Sequence, residues 1–322
     1  MSCYHPMKIF YTGQKTENGK KEGIIAPFND DLKKYPYELA KAKLGHSIPL
    51  KKGFYEIDNG QIFLNNYDEI PCGNCIGCKK DAASDWTNRL LMEIKLRPTN
   101  NYFLTITYDD EHYTPTLRKK DIQKFIKRIR KKKTLRYFVC GEYGGKTLRP
   151  HYHMILLNCK IGITKKWDRQ LSECIDLEKI WGKGRILAAD VTTANIAYTT
   201  AYTIKKAKKK EETPEGFEKE FRLMSRKPGI GKEYIIANLE KLAENNRIYM
   251  NGERKLPRYA KKLLDENYHD IMEKTKERGK EIAQEKETSE KHIYNTEYKT
   301  TVNEKKEQLQ KIRMEANKRT KI

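Results

Sequence analysis

The sequence lacks the features of a membrane or secreted protein. No apolar run is long enough to span a bilayer, and the N-terminal stretch MSCYHPMKIFYTG contains no apolar signal-peptide core. We therefore expect a cytoplasmic protein with no membrane partner. In that reducing compartment, the seven cysteines are expected to be free thiols or metal ligands rather than disulfides.

Acidic residues are also in short supply. The chain of 322 residues has 44 Asp and Glu against 66 Lys and Arg, which gives a formal net charge of +22. A field of this sign favours polyanions, with nucleic acid first and an anionic membrane surface second. A Lys-rich composition common to all proteins of the host would also produce this charge. The 37% hydrophobic and 34% charged content indicates a compact centre with charged flanks.

A complete nucleotide-binding loop is missing as well. The stretch CGEYGGKT (140–147) has the end of a Walker A pattern, but Cys140 stands where the first glycine belongs. A strand is predicted to follow, whereas phosphate binding requires a helix N-terminus there. We therefore predict no motor activity, so that unwinding would come from a host helicase or from supercoiling.

The regular part of the chain begins after residue 80, with a helix predicted to be capped by Ser84. The order of the following elements is βαββαβ plus one helix, which predicts an α+β fold with an antiparallel, ferredoxin-like or RRM-like sheet and helices on one face. Residues 1–80 show little periodicity. The predicted strands are 101–110, 135–143, 151–158 and 184–191, and the predicted helices are 119–133, 165–181 and 193–210. The predicted parts are an N-terminal segment with a cysteine cluster (1–80), the sheet domain (81–210) and a charged helical region (211–322).

Two histidines stand one residue apart in the strand HYHMILLN. Strand side chains alternate between faces, so His151 and His153 share one face. A hairpin through residues 144–150 would place Glu142 beside them. Two imidazoles and one carboxylate suit a catalytic divalent cation with open positions, although a structural histidine pair is the alternative.

Two tyrosines and a lysine share one face of the last predicted helix. At 100° per residue, Tyr198, Tyr202 and Lys205 fall close together. The tyrosines could simply pack on the sheet. A tyrosine hydroxyl can also attack phosphorus when the phosphate is polarised, and a lysine can hold a phosphate.

The stretch PCGNCIGC has the spacing of a thiolate metal site. Cys72, Cys75 and Cys78 supply three ligands, and a tetrahedral site needs a fourth, for which we predict Cys3 with His5 as the alternative. A ferredoxin-type run would place a cysteine where Ala82 stands, so structural Zn²⁺ is favoured over an iron–sulfur cluster.

Basic residues near these motifs are candidates for phosphate contacts. They include Arg149, and Lys206 and Lys208 in the run KKAKKK, together with the basic helix at 119–133. Such runs also occur as solvated faces, but their sum predicts salt-dependent DNA binding.

These motifs resemble those of a known superfamily. PHYHMILL is similar to the His-hydrophobic-His motif of HUH endonucleases, FLTITY to the strand motif before it, and YTTAYTIK to the Tyr-x-x-x-Tyr-x-x-Lys pattern of two-tyrosine rolling-circle initiators. Together with CGEYG, PCGNCIGC and SRKPGIG, they resemble the replication initiators of microviruses, the gokushovirus branch most of all. The resemblance covers about two thirds of the chain and fades after residue 235.

The resemblance implies a reaction, an HUH nicking and ligating domain at 81–210, and a host bacterial cytoplasm. It implies that His151, His153 and Glu142 bind Mg²⁺ or Mn²⁺, and that Tyr198 or Tyr202 attacks origin DNA to give a 5′-phosphotyrosine and a free 3′-OH. The host polymerase would extend that end, and the second tyrosine would cut the regenerated origin. Two other functions stay open: a non-catalytic single-stranded nucleic-acid-binding protein, and a plasmid relaxase or transposase of the same superfamily. The sequence does not indicate the oligomeric state.

Overall fold

The fold was obtained as a computed structural model. The structure describes residues 3–27, 32–145, 147–163, 165–166, 171–205, 215–250, 252–275, 277, 281, 285 and 296–319. The chain divides into two compact units, Met1–Lys79 with Gln284–Ile322 and Lys80–Ala283. Within the described ranges, no helix has both the length and the apolar character needed to cross a membrane. The functional division at 80/81 and 210/211 stays a prediction.

The first unit contains more regular structure than its sequence suggested. Two three-stranded antiparallel sheets, in the orders β2-β1-β6 and β3-β5-β4, share a core that includes Phe10 and Leu64. The alternation in β1 is hidden because Lys8 and Thr12 occupy buried positions, where Lys8 Nζ donates to the Leu32 carbonyl at 2.9 Å. The elements are β1 (Met7–Lys15), β2 (Lys21–Ala26), β3 (Tyr35–Pro36), α1 (Tyr37–Leu44), β4 (Tyr55–Asp58), β5 (Gln61–Leu64) and β6 (Tyr67–Ile70).

A seven-stranded antiparallel sheet forms the centre of the second unit. Its order is β10-β11-β12-β7-β9-β8-β13, and the four predicted strands are its four longest. The predicted α+β character with antiparallel sheets is confirmed. The elements are α2 (Ile76–Leu96), β7 (Tyr102–Thr107), α3 (Lys119–Arg130), β8 (Arg136–Tyr143), β9 (Pro150–Leu157), β10 (Lys165–Lys166), β11 (Ser172–Glu173), α4 (Ile175–Trp181), β12 (Ile186–Asp190), α5 (Thr193–Lys205) and β13 (Phe221–Met224).

Helices cover both faces of this sheet, so the prediction of helices on one face is wrong. On one face, α3 and α4 pack on Tyr152, Met154 and Leu156. On the other, α2 and α5 pack on Ile155 and Leu157. The physical reason is the unbroken apolar run of β9, which is buried on both sides, as in a strand at the centre of a three-layer fold.

Two helix boundaries also differ from the prediction. The predicted helix 165–181 is helical only over Ile175–Trp181, because the preceding Ser172–Glu173 pairs with the edge of β12. The helix predicted to begin at Ser84 begins at Ile76 instead, so that its first turn carries Cys78. Nothing in the Gly- and Cys-rich composition of this turn indicated a helix.

The remaining elements follow the sheet. A turn and a short helix were predicted at 225–235, and α6 confirms the helix. They are α6 (Lys232–Ala237), α7 (Leu239–Asn245), β14 (Arg247–Tyr249), β15 (Glu253–Lys255), α8 (Arg258–Asn267) and, in the first unit, α9 (Thr296–Arg319).

Candidate functional site

The β8–β9 hairpin aligns the three candidate ligands of a catalytic cation. Its register pairs Glu142 with His151 and Cys140 with His153. Because alternate residues of a strand share a face, Glu142 and both histidines project toward the side covered by α2 and α5. Sequence reasoning therefore placed the three side chains on one face correctly.

The three side chains contact one another directly. Glu142 Oε1 lies 2.7 Å from His151 Nε2 and 3.1 Å from His153 Nε2. All three potential ligand atoms lie within 4.8 Å of one another. Glu142 is 4% exposed and His153 6%, whereas the His151 side chain is 21% exposed. The group is therefore reached from solvent past His151.

Neighbouring groups orient both imidazole rings. His151 Nδ1 lies 3.2 Å from the Arg149 carbonyl, which only accepts hydrogen bonds, so Nδ1 carries the proton and Nε2 is left as the ligand atom of the neutral ring. His153 Nδ1 lies 3.3 Å from Thr105 Oγ1 on the adjacent strand β7, and the His153 ring stacks on Phe103 at 5.4 Å. Two oriented imidazoles and a buried carboxylate fit a divalent cation.

Tyr198 lies beside this group. Helix α5 buries Ile196, Thr199 and Thr200. Tyr198 stays 44% exposed, and its ring centroid lies 5.2 Å from that of His153 in an edge-to-face arrangement. The tyrosine is thus neither a core residue nor remote from the candidate ligands.

The other predicted site residues are described in part or not at all. Tyr202 and Lys205 belong to α5, one turn and nearly two turns after Tyr198, and only their backbone is described. Lys206 and Lys208 lie outside the described residues. Their roles stay predictions.

Arg149 is held by its own chain. Its guanidinium donates to Asp110 Oδ1 at 2.6 Å and to the Tyr108 carbonyl at 3.1 Å, and lies over the Tyr113 ring. The Asp110 side chain is 93% exposed, so that a phosphate could compete for the guanidinium. A DNA contact by Arg149 stays a prediction.

Four cysteines of the first unit form a second group. Cys3 Sγ lies 3.6 Å from Cys72 Sγ and 3.8 Å from Cys75 Sγ, and Cys72 Sγ lies 3.9 Å from Cys78 Sγ. Three of the four side chains are buried, and none forms a disulfide. The structure therefore groups Cys3 with the CxxCxxC motif, as the sequence predicted.

Backbone amides point at the sulfurs. Burial opposes ionisation of Cys75, but the N–H groups of Cys78 and Tyr4 donate to its Sγ and lower its pKa to about 6. Burial and the neighbouring Cys3 raise the pKa of Cys78. A cluster of this kind favours a cation that replaces the thiol protons.

His5, the alternative fourth ligand, contacts α9 instead. Its Nε2 lies 2.8 Å from Glu307 Oε2, while Glu307 Oε1 accepts the Ile76 N–H at the start of α2 at 3.2 Å. Glu307 is 8% exposed. Sequence reasoning missed it because the two ends of the contact are more than 200 residues apart and no local pattern joins them.

The fold and the site define a class: an α+β protein with a two-histidine, one-carboxylate group on a central sheet and a tyrosine helix beside it. A family model described as a replication-associated protein of the ORF2 kind matches residues 101–210, which include Glu142, both histidines and Tyr198. No solved structure matches the chain.

Three curated phage proteins are similar over most of the chain. Replication-associated protein ORF2 of Spiroplasma virus 4 is 29% identical over 271 residues, covering 73% of this chain and 83% of that protein. Replication-associated protein VP4 of Bdellovibrio phage phiMH2K is 30% identical over 237 residues, covering 67% and 75%. Replication-associated protein ORF4 of Chlamydia phage 1 is 27% identical over 219 residues, covering 61% and 53%. The chain belongs to this microvirus-like family of replication initiators, and the resemblance seen in its motifs is confirmed.

Proposed function

We propose that this protein is an HUH-type endonuclease and strand transferase that initiates rolling-circle replication by nicking and rejoining origin DNA. The observation that carries the proposal is the position of Tyr198, whose ring lies 5.2 Å from that of His153 in the Glu142–His151–His153 group. In this proposal β7, β8, β9 and β12 with α3 and α4 are the HUH core, whose sheet order is β12-β7-β9-β8.

His151, His153 and Glu142 would hold Mg²⁺ or Mn²⁺. When bound, the cation polarises the scissile phosphate and stabilises the charge that develops on it. The chain supplies the preorganisation: the Arg149 carbonyl and Thr105 hydroxyl orient the two rings, and burial keeps the Glu142 carboxylate in place.

Nicking by Tyr198 conserves the phosphodiester energy. The phenolic oxygen forms a bond to phosphorus, the bond from phosphorus to the 3′ oxygen breaks, the phenol loses its proton, and the 3′ oxygen gains one. The products are a 5′-phosphotyrosine and a free 3′-OH, so rejoining needs no external energy source. Tyr202, one turn further along α5, would serve as the second nucleophile, and Lys205 would bind a phosphate.

The partners follow from the same proposal. Single-stranded and origin DNA would bind the basic chain, with Arg149, Lys206 and Lys208 among the contacts, in the cytoplasm of a host bacterium. A host polymerase would extend the 3′-OH and a host helicase would separate the strands. The motor-like stretch at 140–147 lies in the β8–β9 hairpin, and a strand follows it, which is the wrong geometry for a nucleotide-binding loop.

A non-catalytic nucleic-acid-binding sheet fits the structure less well. RNA-binding sheets of this topology stack bases on an open face. Here the face with the histidines carries α2 and α5, and the opposite face carries α3 and α4.

A denaturing adduct gel tests the proposal. Purified protein is incubated with single-stranded circular DNA of a phage that encodes it, with Mn²⁺ or with EDTA. We expect a Mn²⁺-dependent protein–DNA band that survives in Tyr198→Phe or Tyr202→Phe alone and disappears in the double variant. Tyr249→Phe, which alters a tyrosine that is 64% exposed, is the matched control. An adduct that persists in the double variant would exclude these nucleophiles.

We further propose that the four cysteines hold structural Zn²⁺. A tetrahedral site with Zn–S bonds of ~2.3 Å has sulfur–sulfur edges of about 3.8 Å. The three Sγ–Sγ distances above, 3.6, 3.8 and 3.9 Å, match this edge and are far too long for disulfides. The site would join the N-terminus to the start of α2.

Metal analysis of the purified protein tests the zinc site. We expect one zinc per chain by mass spectrometry, and a Co²⁺-substituted form with the absorption bands of tetrahedral thiolate coordination. Cys75→Ser should lose the metal, whereas Cys159→Ser, which alters a buried cysteine outside the group, should keep it. Iron with acid-labile sulfide, or equal zinc content in both variants, would contradict the assignment.

A further inference from the structure

The outer face of α3 carries a row of cations. The helix buries Ile122, Phe125, Ile126 and Ile129 against the sheet. Its solvent side has exposed basic residues on every turn, over a length of about 16 Å from first to last. These residues, here termed the α3 row, are Lys120, Lys124, Lys127, Arg128 and Lys131.

The α3 row is unfavourable for the isolated fold. Lys120 and Lys124 are four residues apart, as are Lys127 and Lys131, and like charges at this spacing destabilise a helix. The acidic residue of the helix, Asp121, is 8% exposed and accepts the Tyr108 hydroxyl at 3.0 Å. Among the described residues, no carboxylate forms an ion pair with Lys124, Lys127 or Lys131. An external anion would relieve this repulsion.

The row borders a groove rather than a flat surface. The groove has a volume of about 440 Å³ and is lined by Asp121, Lys124, Lys127, Arg128, Lys131 and Lys183. Arg128 is fixed there, because its guanidinium donates to the Trp181 carbonyl at 2.9 Å. A partly ordered cationic groove loses less side-chain entropy on binding an anion than freely moving lysines do.

The groove lies on the face of the sheet opposite to the histidines. Helix α3 packs on Tyr152 and Met154, whereas His151 and His153 project to the other side of the same strand. A DNA phosphate in this groove therefore cannot be the one that Tyr198 attacks.

We propose that the α3 groove is a second DNA-binding surface, which holds the phosphodiester backbone away from the nicking site. Repeated cations along a groove suit a linear polyanion, and the absence of exposed aromatic rings from the lining indicates backbone contact rather than base stacking. In the proposed reaction it would retain the strand between cuts, but binding itself does not depend on nicking.

Salt-dependent binding in EDTA tests this surface without any cleavage. Fluorescence anisotropy is measured with a labelled 60-nucleotide oligo(dT) and a 60-base-pair random duplex over a range of NaCl concentrations. The variant Lys124→Gln/Lys127→Gln/Lys131→Gln removes three phosphate contacts, so the slope of log K against log[salt] should become shallower by about 2 for the single strand. If the effect vanishes near 1 M salt, affinity at 0.15 M falls about 50-fold.

A matched variant separates the groove from bulk charge. Lys241→Gln/Lys262→Gln/Lys274→Gln removes the same charge from exposed positions outside α3 and should leave the slope unchanged. Equal slopes in the α3 variant and the wild type, or equal losses in the two triple variants, would overturn the proposal. The duplex shows whether the groove prefers single strands. A missing adduct in the gel assay, with the α3 slope change intact, would overturn only the nicking proposal.

Discussion

Replacing Thr105 by valine tests whether the orientation of His153 matters for metal binding. The Thr105 hydroxyl lies 3.3 Å from His153 Nδ1, in the register that places the two residues opposite each other on β7 and β9. Valine keeps the β-branched shape and removes only the hydroxyl. Loss of a group that orients a metal-bound histidine typically weakens metal affinity 10- to 100-fold. Because this hydrogen bond is long, we expect the lower end, about tenfold, or ~1.4 kcal/mol.

Titration calorimetry with Mn²⁺ on zinc-loaded protein without DNA gives the affinity directly. Thr107→Val is the matched control, because Thr107 lies on the same strand face and donates at 3.4 Å to the Arg185 carbonyl rather than to a histidine. We expect its Mn²⁺ affinity to stay within twofold of the wild type. Unchanged affinity in Thr105→Val would refute the positioning argument. Equal losses in both variants would show that strand packing, and not the bond to His153, sets the affinity.

Two further predictions concern the second unit. His153→Ala should abolish the Mn²⁺-dependent DNA adduct while the far-ultraviolet circular dichroism stays unchanged; an adduct at wild-type yield would contradict a ligand role. Burial opposes ionisation of Asp176, but hydrogen bonds from the Cys174 thiol, Lys133 and the Gly162 N–H lower its pKa. Its carboxylate therefore stabilises the fold above its unfolded pKa of about 3.9, and this contribution is lost as pH falls through the lower folded pKa. Asp176→Asn should cost at most about 1 kcal/mol at pH 7, given partial solvent screening, with a difference from wild type that shrinks below pH 4 in urea unfolding; a constant difference would exclude the titration.

Local patterns were enough to predict most of the central sheet and the candidate ligands. Strand alternation placed His151 and His153 on one face, and a hairpin too short for any other connection brought Glu142 to them. The layers failed because a strand buried on both faces carries no alternation that says where helices pack. Thr105 and Glu307 were missed for a related reason: their contacts depend on β7–β9 register and on distant chain ends, which no local spacing encodes.

The threonines of α5 explain why a helix with so few large apolar residues still holds Tyr198 in place. One residue of helix rotation moves a side chain by about 100°, so a small slip would turn Tyr198 away from His153. Thr200 Oγ1 lies 2.7 Å from Thr87 Oγ1 on α2, and the Cys140 thiol of β8 donates to the Thr199 carbonyl at 3.5 Å. Buried hydroxyls are costly unless they are paired, and these pairs form in one rotation of the helix. The polar contacts therefore fix the rotation that apolar packing alone would leave loosely defined, and with it the distance between tyrosine and histidine.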